Sequence, residues 1–206
     1  MTRRVPALLI VLSLVPTASP AAEPVASPEW VERSRALVAG FGGELKSELT
    51  GAIERGGPVA AIAVCKDRAP AIAARLSEQS GARVSRTALR VRNPANAPDA
   101  LQRAVLEQFA EQMSAAPGAA TAAAGPPEAV FEIKGAAGIE RRYMRAIPTD
   151  ALCLTCHGPT LSPELAAAIR RDYPADAATG FAQGELRGAF SVIWPAPAPA
   201  PAAAQP

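Results

Sequence analysis

The tightest constraint on this chain is one five-residue string, Cys153-Leu154-Thr155-Cys156-His157. It gathers two of the three cysteines and the only histidine among 206 residues. This is the spacing of covalent haem attachment. On one helical turn both thiols can reach the two vinyl groups of a porphyrin edge, and the next residue brings an imidazole beneath the iron. The expected cofactor is one haem c, with Cys153 and Cys156 as covalent anchors and His157 as the proximal iron ligand.

The N-terminus agrees with that chemistry. Arg3 and Arg4 precede an apolar run from Ala7 to Val15, bracketed by Pro6 and Pro16, and Ser19 and Ala21 form a small-residue cleavage pattern. The run is short of the ~20 residues a membrane-spanning helix needs, so residues 1–21 read as a secretory leader. The mature protein is expected in the periplasm, with no stable membrane insertion after cleavage, and c-type haem is attached on that side of the bacterial membrane. Three other uses of the motif compete with haem. A closed zinc site needs four ligands, which only the recruitment of Cys65 would complete. A thioredoxin-like redox motif needs a preceding βαβ unit, whereas a hairpin pattern precedes this one. A plain disulfide leaves His157 unexplained.

After a Pro/Ala linker at 22–29, Ser27-Pro28-Glu29 is a helix start, and apolar residues from Val31 to Ile53 keep helical spacing up to Gly56-Gly57. Gly40, Gly42 and Gly43 suggest a kink. A second helix is expected from Pro58 to Gln79, with Ile62, Cys65, Ala69, Ile72 and Leu76 on its apolar stripe. Arg83 to Val91 alternates as a strand, a rigid Asn-Pro turn follows at 93–99, and a third helix runs from Asp99 to Met113. Residues 114–127 read as a mobile Ala/Gly/Pro loop. Strands at Ala129–Lys134 and Ile139–Ile147 form a hairpin. Helical segments then cover the cysteine motif and Pro163–Arg171, and a last strand spans Leu186–Trp194. The Pro/Ala tail, 195–206, is expected to be disordered. The pattern is α+β, one domain over 30–194. Aromatics make up only 4% of the chain, so a core of Ala, Val, Leu and Ile leaves room for a large flat group.

With His157 used, the sixth iron ligand remains open among Cys65, Met113, Met144, a lysine, water or nothing. Cys65, an odd thiol in an oxidising compartment, serves equally as a buried hydrophobe. Arg86, Arg90, Arg92, Arg142 and Arg145 fall in the sheet region. Arg92, then Arg142, are the first choices to contact haem propionates, against a background of ordinary solvated charge.

Four strings carry a family resemblance: Val64-Cys65-Lys66-Asp67-Arg68-Ala69-Pro70; Val91-Arg92-Asn93-Pro94-Ala95-Asn96-Ala97-Pro98-Asp99; Ile147 through Gly158, which includes the motif; and Tyr173-Pro174-Ala175-Asp176 onward to Gly184–Ser191. They resemble the PAS-like c-type haem domains of cyanobacteria and proteobacteria, in motif order and over about residues 30–194. Some members stand alone and others are extracytoplasmic sensor parts of histidine kinases. The resemblance implies a PAS-like antiparallel sheet with flanking helices and a long N-terminal helix. It also implies Cys65 as the second axial ligand beside His157.

A thiolate ligand lowers the potential of haem iron and suits a redox- or gas-responsive sensor or accessory protein, which would signal through a membrane protein or redox partner. A His/Met pair suits a small electron-transfer cytochrome instead. Enzymatic turnover is not expected, since no spare histidine remains for distal acid–base work. The net charge of +2 gives no reason to expect nucleic acid as a partner.

Overall fold

The computed structural model describes residues 27–115 and 125–197. The expected leader, most of the linker, the middle of the Ala/Gly/Pro-rich stretch and most of the tail lie outside the described residues.

Helix α1 (Glu29–Ala60) presents Val31, Val38 and Phe41 from one face, with Trp30, Leu37 and Leu45 beside them. It runs straight through Gly40, Gly42 and Gly43, and the expected kink there is absent. The break comes at Gly57, whose φ of 73° only glycine adopts easily, ahead of Pro58. The expected continuous second helix is likewise divided. A π turn spans Val64–Arg68 before α2 (Ala69–Ser80). Pro70 supplies the physical reason: it has no N–H, and its ring crowds the carbonyl of Lys66 four residues earlier. A wider turn relieves both problems. Gly81 then closes α2 in the left-handed conformation, its N–H bonding the Ser77 carbonyl.

Strand β1 covers Arg83–Thr87, four residues short of the Val91 expected from its alternation. The Thr87 hydroxyl donates to the Asn96 carbonyl (3.1 Å), which turns the chain out of the ladder. A 3₁₀ turn at Pro94–Asn96 leads to α3 (Ala100–Ala115). Asp99 and Gln102 cap its start reciprocally: the Gln102 N–H reaches Asp99 Oδ1 (2.8 Å), and the Asp99 N–H reaches Gln102 Oε1 (2.9 Å). The hairpin β2 (Glu128–Gly135) and β3 (Gly138–Pro148) pairs as its alternation and glycines imply. Next come α4 (Ala151–His157), α5 (Pro163–Asp172) and β4 (Leu186–Trp194). The four strands form one antiparallel sheet in the order β1-β4-β3-β2. The architecture is α+β, an antiparallel sheet flanked by helices with a long helix at the N-terminal side, as expected.

Alternation along the strands divides the core. Tyr143, Val84 and Val192 pack with α1 and α2, while Met144, Ala146 and Ala189 pack with Leu106 and Phe109 of α3. Each layer is tied to β4 by a polar bond. Trp194 Nε1 donates to Ser34 of α1 (2.8 Å), and Gln102 of α3 donates to Ser191 (3.1 Å).

Glycine positions offer a direct test of this packing. A Cβ on Gly188 of β4 would lie 2.5 Å from the Thr87 carbonyl, and neither backbone has room to yield. Gly188→Ala is expected to cost about 1–3 kcal/mol. Gly40 lies exposed in α1, and a Cβ there meets nothing within 4 Å. Gly40→Ala should therefore add roughly 0.5–1 kcal/mol. Denaturant midpoints of the two variants should move in opposite directions.

Candidate haem site

The motif occupies a helix of seven residues, too short to hold its shape without help. Asp150 caps its start, accepting from the Ala151 N–H (2.6 Å), and Lys46 of α1 reaches the other carboxylate oxygen (3.2 Å). Both contacts, the lysine first, hold the Asp150 carboxyl below the usual range. At the other end the Gly158 N–H bonds the Leu154 carbonyl (2.9 Å). A Cβ on Gly158 would come within 2.5 Å of that same oxygen, so the chain leaves the helix where only glycine fits. The three-residue spacing sets Cys153 and Cys156 on one side of the helix. Cys156 also packs with Ile62 of the α1–π-turn connection and with Leu165 and Ile169 of α5. Burial pushes its thiol pKa up.

His157 ends the helix, and its Nδ1 lies 2.6 Å from the Ala178 carbonyl. A carbonyl can only accept, so Nδ1 carries the proton and Nε2 keeps a free lone pair. Burial, reinforced by the charges of Arg187 and Arg92, pushes the imidazole pKa down to about 2. The ring is therefore neutral at any physiological pH, the form that binds a metal. Phe181 meets it edge-on, with ring centroids 6.2 Å apart.

The Ala178 carbonyl is itself held in place. Arg92 and Asp176 form a buried ion pair, 7% and 8% exposed. Arg92 Nε and Nη2 reach the two Asp176 oxygens (both 3.1 Å). Nη2 also donates to the carbonyls of Cys156 (2.7 Å) and Ala178 (3.3 Å), and Asp176 accepts the Ala178 N–H (2.9 Å). Arg92 thus clamps the loop after α5 onto the end of α4. It also lines the cavity described below, and with Nε and Nη2 committed to protein, Nη1 is the atom left for the expected propionate contact.

Cys153, Cys156 and His157 open onto a cavity of about 320 Å³. Leu45, Leu49 and Ile53 of α1 form one wall and Ile147 and Phe190 of the sheet another. Cys65, half-buried in the π turn, lines the same space. A Cβ on Gly42 would sit 3.3 Å from the Phe190 ring, so this glycine lets the helix approach the sheet. The three cysteines are unbonded to one another. Among the described residues no three His, Cys, Asp or Glu side chains gather around one metal position.

The remaining candidates lie elsewhere. Met144 and Met113 pack against α3 and its neighbours on the far face of the sheet. Arg142 shares the parity of Met144 on β3, so it too faces away from the cavity, and its guanidinium binds Asp99 (2.6 Å) and Glu140 (2.6 Å). The expected propionate contact by Arg142 is corrected accordingly. Arg90 and Arg145 are paired with Glu185 and Glu128. Of the sheet-region arginines, Arg86 does line the cavity, joined by Arg187, which sequence reasoning passed over. Asp176 and the Ala178 carbonyl were also missed. The carbonyl leaves no trace in a sequence, and a buried acid looks like any other acid.

The arrangement suits a planar, largely apolar group bearing two thiol-reactive sites and a metal centre. Two thiols, an imidazole with a free Nε2 and a third thiol from a separate element border an apolar cavity. A family model described as Tll0287-like: Tll0287 matches residues 18–195. Among solved structures, the cyanobacterial heme-protein Tll0287 is similar, at 28% identity and a TM-score of 0.57, covering 85% of this chain and 100% of that one. No curated protein matches.

Removing one half of the clamp strands the other half as a buried charge. Arg92→Ala is expected to cost about 3–5 kcal/mol, and the paired Arg92→Ala/Asp176→Ala variant less than the sum of its singles. A double-mutant cycle of denaturant unfolding measures the difference; strict additivity would remove the clamp.

Proposed function

The chain belongs to the Tll0287-like family, and from that membership we propose that it is an exported c-type cytochrome with a single haem, anchored by Cys153 and Cys156 and ligated by His157 and Cys65. The observation that carries the proposal is the pairing of two thiols on one helical face with a histidine whose Nε2 is left free by the Nδ1 bond to Ala178. Each thiol S–H adds across one vinyl double bond: a C–S bond forms, the proton ends on the terminal carbon, and no electron is gained or lost. Haem held in this way supplies one-electron chemistry at a potential set by its axial ligands.

Cys65 is favoured as the second ligand because it lines the cavity, whereas Met113 and Met144 do not. A His/Met electron carrier, the competing function, therefore has no methionine near the site among the described residues. As a thiolate, Cys65 donates charge that favours ferric iron. It stands in a π turn, a rare helical form found frequently at functional sites. Release of its sulfur on reduction would free that turn, which joins α1 to α2. On this basis the protein acts as a redox- or gas-responsive sensor or accessory protein that passes a change in these helices to a membrane signalling protein or redox partner, without turnover. The leader-like N-terminus places it in the periplasm in this proposal, and among the described residues no helix is long and apolar enough to cross a membrane.

Protein matured with c-type haem should gain the mass of one covalent haem. Its ferric absorption spectrum should change in Cys65→Ala, and the midpoint potential should rise by roughly 0.1 V or more, within the ~0.8 V that axial ligands span. A ferric spectrum indifferent to Cys65 would remove the thiolate and the sensor with it.

A further inference from the structure

Three arginines border the cavity, and they differ in what they touch. Arg92 is neutralised by Asp176. Arg86, from β1, meets no carboxylate among the described residues; its guanidinium carbon lies 5.6 Å from the centre of the Phe41 ring. Arg187, from β4, has only a 3.4 Å approach to the Arg90 carbonyl and the Phe181 ring at 5.2 Å. Both are half-buried. Guanidinium keeps its proton in proteins, so two permanent cations face a largely apolar space with no carboxylate partner among the described residues.

That arrangement is costly as it stands. Burial pulls down the pKa of both groups, that of Arg187 to about 10, and the charge of Arg86 adds to the pull on Arg187. The pair are close enough to repel each other, and the protein groups that work against this are Cys65 at both, Tyr173 at Arg86 and Cys153 at Arg187, none of them a carboxylate. The rest of the cavity wall is mostly apolar, and its one carboxylate, Asp150, is already engaged by Lys46 and the Ala151 N–H. The missing partner must therefore come with the ligand and must bring negative charge to two neighbouring guanidinium groups. A haem carries two carboxylates on a single edge, and each matches the fork of a guanidinium.

We infer that Arg86 and Arg187 form the seat for the two haem carboxylates, a role that rests on the haem proposal above. Arg92 positions His157 through Ala178, and Arg142 faces the opposite side of the sheet. The competing role is local: the charge of Cys65 is felt at Arg86, so this arginine could serve the sulfur instead.

The test uses the holoprotein. Mass spectrometry first establishes one covalent haem in the wild type and in Arg86→Gln, Arg187→Gln, Arg86→Lys and Arg187→Lys. A wild-type chain with no haem mass overturns the underlying proposal, and a haem-loaded chain isolates the present one. Resonance Raman spectra of the ferric proteins then separate the propionate bending bands from the bands that report axial ligation. Shifted propionate bands with unchanged ligation bands are expected in each Gln variant, with a lower midpoint potential because unopposed carboxylate charge favours ferric iron. The Lys variants, which keep the charge, should recover most of that potential and still load haem if a Gln variant fails to fold. Propionate bands that stay fixed in the Gln variants, or in the Lys variants alone if only those fold, would overturn the seat. So would a change confined to the ligation bands, which would assign Arg86 to Cys65 and Arg187 to His157.

Discussion

The hydrogen bond between His157 Nδ1 and the Ala178 carbonyl governs the rest of the site. It selects the tautomer, turns the ring, and leaves Nε2 as the atom available to a metal. A seven-residue helix cannot hold such a bond by itself. The carbonyl is fixed by the buried Arg92–Asp176 pair, which also grips the Cys156 carbonyl one residue before the histidine. The same loop bonds back twice more, through the N–H of Gly180 to the Gly158 carbonyl (3.0 Å) and that of Phe181 to the His157 carbonyl (2.9 Å). Four anchors thus converge on the end of α4. An apolar pair of similar volume is often as stable, but it would leave the Cys156 carbonyl without its partner and the Ala178 carbonyl, which holds the imidazole, without its brace. The charge is retained for orientation.

The sheet separates this site from a conventional core. One face, with α3, is filled by side chains, Met113 and Met144 among them. The other face is filled only where α1 and α2 cover Tyr143, Val84 and Val192. Beyond Phe41 and Phe190, whose rings pack 5.4 Å apart, side chains no longer close the gap between helix and sheet. The cavity starts there, and α4 and the π turn bring their thiols to its border.

Much of this was legible in the chain. The helical pattern after the Asn-Pro turn announces α3, the alternation after Gly138 announces β3, and the five-residue motif announces its own helix. These are local signals, carried by residues within a turn or two of one another. Three features escaped because they depend on distant partners. The shortened β1 depends on Thr87 finding Asn96. The face of β3 was hidden because arginines occupy both parities, at 141, 142 and 145, so charge gave no phase. Tyr143 and Ile147 share the cavity-side phase, which places Arg142 on the other side. The clamp joins residues 92 and 176, and no spacing rule connects two positions so far apart.

Arg86 and Arg187, without a carboxylate partner among the described residues, connect stability to occupancy. A natural protein rarely keeps neighbouring cations in an apolar cavity, since each raises the cost of the other. Their presence makes sense if the folded chain is selected in its loaded form, where the ligand supplies the opposite charge. A ligand that binds only the folded state stabilises it by mass action, and a covalent ligand cannot then be lost by dilution. Thioether attachment to Cys153 and Cys156 would hold the counter-charge in place permanently, so the arginines can be placed for the ligand alone, with no concession to the empty protein. On that proposal the remaining iron ligand would be a weaker, reversible partner. A single thiol on a π turn suits that role, because its release would cost one bond and leave the clamp, the histidine and both thioethers intact.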